Sequence, residues 1–134
     1  MKAILTLPLA LGLLLLSGCT TPVAIDPQTG MDQTASYQTG YFYGPLDAPI
    51  DKVFRTAIRE LDDMGYFRTG ELHRETSITI YARKVGDQKV IVKTYIPSEG
   101  EELPEGQTKL RIRVGTMGSL PESQAIYARI RNAL

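Results

Sequence analysis

Catalysis needs a nucleophile beside a base, a metal-ligating cluster, or carboxylates aimed at one point. This chain of 134 residues has one histidine, His73, and one cysteine, Cys19, too few for a His/Cys zinc set. No glycine-flanked serine follows a strand pattern. The adjacent carboxylates Asp62-Asp63 and Glu101-Glu102 diverge on a helix or sit in a loop, so they read as solvated surface. His73 reads as a residue at a strand end. The expectation is a chain that is not an enzyme and uses neither metal nor cofactor. One constellation stands above this background. Arg83, Lys89, Lys93, Lys109, Arg111 and Arg113 alternate with apolar residues, and Tyr81, Ile91 and Tyr95 lie among them. In a strand that alternation sends all six cations to one face. Such a face would meet an anionic partner such as lipid phosphate, lipopolysaccharide or a cell-wall polymer. The same pattern also keeps a sheet soluble and its edges unpaired.

Several elements must position these cations. Tyr41-Phe42-Tyr43 favours strand and stops at Gly44-Pro45. Ile50, Val53, Phe54, Ala57, Ile58, Leu61 and Met64 share one face of a helix. Pro49 falls in its first turn, Asp47 or Ala48 at its cap, and Gly65 at its left-handed stop. Asp51, Lys52, Arg55, Arg59, Glu60, Asp62 and Asp63 are expected on its outer face. Four strands follow: Tyr66 to His73, Ser77 to Arg83, Lys89 to Ile96 and Lys109 to Val114. Gly86-Asp87 turns a hairpin, and an acidic loop from Pro97 to Gln107 joins the last two strands. Ser119 and Glu122 have capping-box spacing, with Pro121 in the first turn. Ser123, Ile126, Tyr127, Ile130 and Leu134 then share a helix face. The expected fold class is α+β: an antiparallel sheet of about five strands with two helices on one face, ordered strand, helix, four strands, helix.

The N-terminus sets the location. Lys2 precedes an apolar run from Ile4, closed by Leu16-Ser17-Gly18-Cys19. A positive start, a short apolar core and small residues form a secretory signal, too short to span a bilayer comfortably. This stretch resembles the lipobox of bacterial lipoproteins. The resemblance implies cleavage between Gly18 and Cys19, a thioether-linked diacylglycerol on the Cys19 sulfur, and a further acyl chain on the new amino terminus. By the same resemblance, to lipoproteins of bacteria with two membranes, Thr20 rather than Asp after the anchor implies the outer membrane over the inner one. Three parts follow: a signal peptide at 1–18, a lipidated cysteine with a flexible tether at 19–39, and a single α+β domain at 40–134. Removing 1–18 takes away only Lys2, so 15 cations against 15 carboxylates becomes a net charge of −1. That balance argues against a nucleic-acid partner.

Gly44, the helix end Leu61-Asp62-Asp63-Met64-Gly65, and Ile112-Arg113-Val114-Gly115-Thr116-Met117-Gly118 followed by Ser123, Ile126, Ile130 and Leu134 carry a second resemblance. From residue 40 onward the chain is similar to a family of small bacterial lipoproteins known by a domain-of-unknown-function label. In that family an acidic residue often follows the second glycine, where this chain has Ser119. The resemblance implies lipidation and an α+β domain and carries over no catalytic residue. Physically, Gly115 and Gly118 allow a sharp strand-to-helix turn, and a glycine-flanked helix start can also hold an anion. The expected function is a non-catalytic, lipid-anchored envelope protein that touches another envelope component. The alternative is a binding module that uses the cationic face for an anionic lipid or polysaccharide.

Overall fold

The computed structural model describes residues 21–23, 35–98 and 108–134. Its elements run β1 (Thr21–Val23), β2 (Ala35–Gln38), β3 (Tyr41–Leu46), α1 (Ile50–Asp63), β4 (Phe67–His73), β5 (Ser77–Lys84), β6 (Gln88–Tyr95), β7 (Thr108–Val114) and α2 (Leu120–Ala133). Among the described residues the strands make one antiparallel sheet in the order β1-β2-β3-β7-β6-β5-β4. The α+β class and the order from β3 to α2 follow the sequence reading. The sheet is wider than the expected five strands. Six strands lie within residues 35–114, and the three-residue β1 extends the edge beyond β2. Two of its strands fall inside the 19–39 segment read as a tether. Their sequence signal is weak because β2 is short and polar, and only Ala35 in it is buried. Residues 19–20 and 24–34 of that segment, the signal peptide and most of the acidic loop lie outside the described residues.

One hydrophobic cluster binds both helices to one sheet face. Phe42, Leu110, Ile112, Val90, Val92, Ile80 and Ala82 from the strands meet Val53, Ala57 and Leu61 of α1 and Ile126, Tyr127 and Ile130 of α2. Both apolar stripes fall where the helical period placed them. Glu60 does not lie on the outer face of α1. It is buried at the helix–helix contact, where its Oε2 accepts a bond from Arg129 Nε at 3.1 Å. The expected caps also differ. Pro49 itself is the N-cap of α1, without a side-chain bond. Ser119 is the N-cap of α2, but its side chain makes no capping bond. Glu122 instead accepts from Lys84 of β5, a tertiary partner that local spacing does not reveal. Gly65 ends α1 at φ +83° as expected.

Two glycines set close approaches. A Cβ on Gly44 would stand 2.5 Å from Cε2 of Tyr127, whose buried ring packs tilted at 54° against Phe42. A Cβ on Gly118, at φ +81°, would stand 2.5 Å from the Cα of Gly40. The β2–β3 turn and the β7–α2 loop therefore touch backbone to backbone.

Candidate functional site

Register fixes the face opposite the helices. Lys93 pairs with Arg111, and Arg111 in turn with Tyr43; Ile91 pairs with Arg113, Tyr95 with Lys109, and Arg83 with Lys89. All six cations chosen from the sequence share this face. Tyr81, Ile91 and Tyr95 lie among them, as the alternation required. Glu71 is the one strand carboxylate among the described residues, and it pairs with core-facing Ile80 on the helix side. No carboxylate therefore stands within the strand portion of the cationic face.

The cations are not equivalent. Arg83 is tied to Asp87 in the adjoining turn. Arg113 donates from Nε to the Gly115 carbonyl at 3.4 Å and from Nη2 to the Thr116 carbonyl, bracing the β7–α2 loop. Arg111 and Arg113 place their guanidinium carbons 4.7 and 4.8 Å from the ring centre of Tyr41. Arg111 Nε is buried without a hydrogen-bond partner, and the face of that ring offsets part of the cost. Lys93 lies 5.6 Å from the ring centre of Tyr95, and Lys109 lies 5.9 Å from that of Tyr43. Lys89 is exposed at the edge of a cleft of about 220 Å³ that it shares with Tyr41, Ile91, Arg113, Gly115 and Thr116. Contact with a tyrosine ring restricts a cation's rotamers, and a restricted side chain loses less entropy when an anion binds it.

Tyr41 and Tyr43 were not selected from the sequence as site residues. Their signal was the alternation of Tyr41-Phe42-Tyr43, with Phe42 wholly buried. Placing them beside Arg111 and Arg113 required the pairing of β3 with β7, a contact between segments more than 60 residues apart in sequence. Gly18 and Cys19 lie outside the described residues.

A second polar cluster ties β4 to α1. Arg68 grips Asp62 with bonds of 2.8 and 3.1 Å, and its Nη1 lies 3.6 Å from Glu71. The Arg68 hydrogen bond, aided by its charge, lowers the Asp62 pKa below the ordinary carboxylate value despite some desolvation. His73 bonds to Glu71 at 2.9 Å and packs edge-on against Phe54, so it fastens the strand end. Burial raises the Tyr66 pKa; Lys84 lowers it by a smaller amount, and Glu122 adds to the rise. Among the described residues no group of three or more His, Cys, Asp or Glu side chains is arranged to hold a metal ion. No helix among them is long and apolar enough to cross a membrane.

No curated protein matches this chain. A family model does: the one described as Protein of unknown function (DUF3568) aligns with residues 2–133, from the apolar start through α2. The chain belongs to the DUF3568 family.

Proposed function

We propose that the protein is a non-catalytic component of the bacterial envelope, anchored by a lipid on Cys19 and working by surface contact with another envelope component. The observation that carries this reading is the cationic tyrosine face. Six cations share one side of a sheet whose other side is filled by the helices, and four of them lie over tyrosine rings. The lipobox resemblance at Leu16-Ser17-Gly18-Cys19 supports the anchor, and the family match includes that stretch. The outer membrane is the proposed location, on the strength of Thr20 after the anchor.

The composition of the face favours one form of this contact, in which the partner is an anionic polysaccharide or lipid headgroup. Arginine can hold a phosphate or carboxylate through two donors, and the attraction between exposed charges weakens with salt. Retention of the detergent-solubilised full chain on lipopolysaccharide-coated beads tests this reading. Native protein should bind at low salt and release as salt rises, and Lys93→Glu with Arg111→Gln should release earlier. Native protein that fails to bind at low salt would leave contact with a protein partner as the standing form of the reading.

A further inference from the structure

The three most exposed large apolar side chains of the described residues are Val85 at 93 %, Met117 at 88 % and Phe67 at 73 %. They stand on three separate segments: the β5–β6 turn, the β7–α2 loop and the start of β4. The sheet brings them to one end. A single row of paired residues crosses six strands, Thr21–Tyr37–Phe42–Ile112–Val92–Ile80. From that row β7 runs forward to Met117 and β5 runs forward to Val85. β4 runs antiparallel to β5 and begins beside Arg83, so Phe67 lies at the same end.

β1 begins at this end as well. β1 is antiparallel to β2, so its N-terminal residue, Thr21, lies toward the end that carries Val85 and Met117. Cys19 is two residues ahead of Thr21, and two residues reach at most about 7 Å. A lipid on Cys19 would therefore enter the bilayer at the same end of the sheet as these apolar tips, three strands from the one that leads to Met117 and five or six from those of Val85 and Phe67. Cations flank Val85 and Met117: Lys89 and Arg113 line the cleft at this end, and neither has a carboxylate partner among the described residues, while Phe67 lines a separate cleft in which Arg68 is paired with Asp62 and Glu71. Lys84 and Arg83 lie beside the same turn, neutralised by Glu122 and Asp87. Exposed apolar tips with unpaired cations beside two of them match a bilayer surface, where apolar groups enter the acyl boundary and cations meet anionic headgroups.

We propose that this end of the sheet docks on the anionic lipid surface that holds the anchor, with Val85, Met117 and Phe67 dipping into it and Lys89 and Arg113 at headgroup level. This rests on the reading that Cys19 is lipidated. It replaces a domain that stands off the membrane on a free tether with one held end-on, the cationic tyrosine face upright and accessible from the side.

The test uses the lipidated mature chain in vesicles of phosphatidylethanolamine and phosphatidylglycerol. The lipid consumes the Cys19 thiol, so a single new thiol can carry a polarity-sensitive fluorophore. Val85→Cys and Met117→Cys report on the docking end. Ile96→Cys, just past β6, reports on the opposite end, where the native side chain is 48 % exposed. Docking predicts a blue shift at positions 85 and 117, quenching by nitroxide-bearing lipids, and loss of quenching by aqueous iodide. Position 96 should keep a water-like spectrum and full iodide quenching. Labels at 85 and 117 that behave like the label at 96 overturn the docking. Mass analysis of the N-terminal peptide separates the two ways of failing. A Cys19 without lipid removes the anchor and the proposal together, and a lipidated chain with water-exposed labels removes the docking alone.

Discussion

Gly44→Ala is the sharpest test of how the two layers fit. Gly44 lies in β3 opposite Leu110, and the Tyr127 ring of α2 rests on it. The added methyl would stand 2.5 Å from Cε2 and 2.8 Å from Cζ of that ring. The ring cannot simply withdraw, because Tyr127 is wholly buried, packs at 5.1 Å on Phe42 and donates its hydroxyl to the Pro45 carbonyl. Overpacking a filled core costs about 1–3 kcal/mol. Displacing the ring also forfeits the hydroxyl bond, about 0.5–1.5 kcal/mol. The sum is a loss of about 1.5–4.5 kcal/mol, which at a urea slope of about 1.5 kcal/mol/M lowers the midpoint by about 1–3 M. Urea unfolding followed by circular dichroism measures it. A double-mutant cycle isolates the contact: once Tyr127→Leu has removed the ring's far edge and hydroxyl, Gly44→Ala should cost clearly less than alone, with a coupling of at least about 1 kcal/mol. A Gly44→Ala cost under about 0.5 kcal/mol, or strict additivity in the cycle, would refute the argument.

Leu61→Ala and Ile126→Ala remove wholly buried side chains from the two helix stripes, and each should lower stability by about 2–5 kcal/mol in the same urea assay. Asp62 gives a pH dependence. Its folded pKa lies below the ordinary carboxylate value because Arg68 bonds its charged form, so its contribution is present above the unfolded carboxylate pKa and fades as pH falls through the folded one. Asp62→Asn should therefore flatten the acid side of the stability profile and leave the slope near neutral pH unchanged; an unaltered acid limb would contradict this. Together with the polyanion retention and bilayer-depth experiments above, these measurements address the core, the edge cluster, the sheet face and the sheet end separately.

Sequence alone determined what short-range periodicity encodes. The stripes Val53-Ala57-Leu61 and Ile126-Tyr127-Ile130, the alternation in β5, β6 and β7, and the stop at Gly65 follow from neighbours within a turn or a pleat. Alternation even sent all six cations to one face, because strand period is set by the backbone itself. Other features depend on partners far away in the chain and arise only when the sheet and helices assemble. Glu122 left its capping box for Lys84, and Glu60 turned inward to Arg129. Tyr41 came between Arg111 and Arg113 through the pairing of β3 with β7. β1 and β2 are too short and polar to announce themselves, and they gain their strand conformation by pairing onto an existing sheet edge. That pairing brings the start of β1 to the same end as Val85, Met117 and Phe67, residues that look unrelated in sequence. Which loops share an end is a property of strand order and direction, and no local pattern carries it.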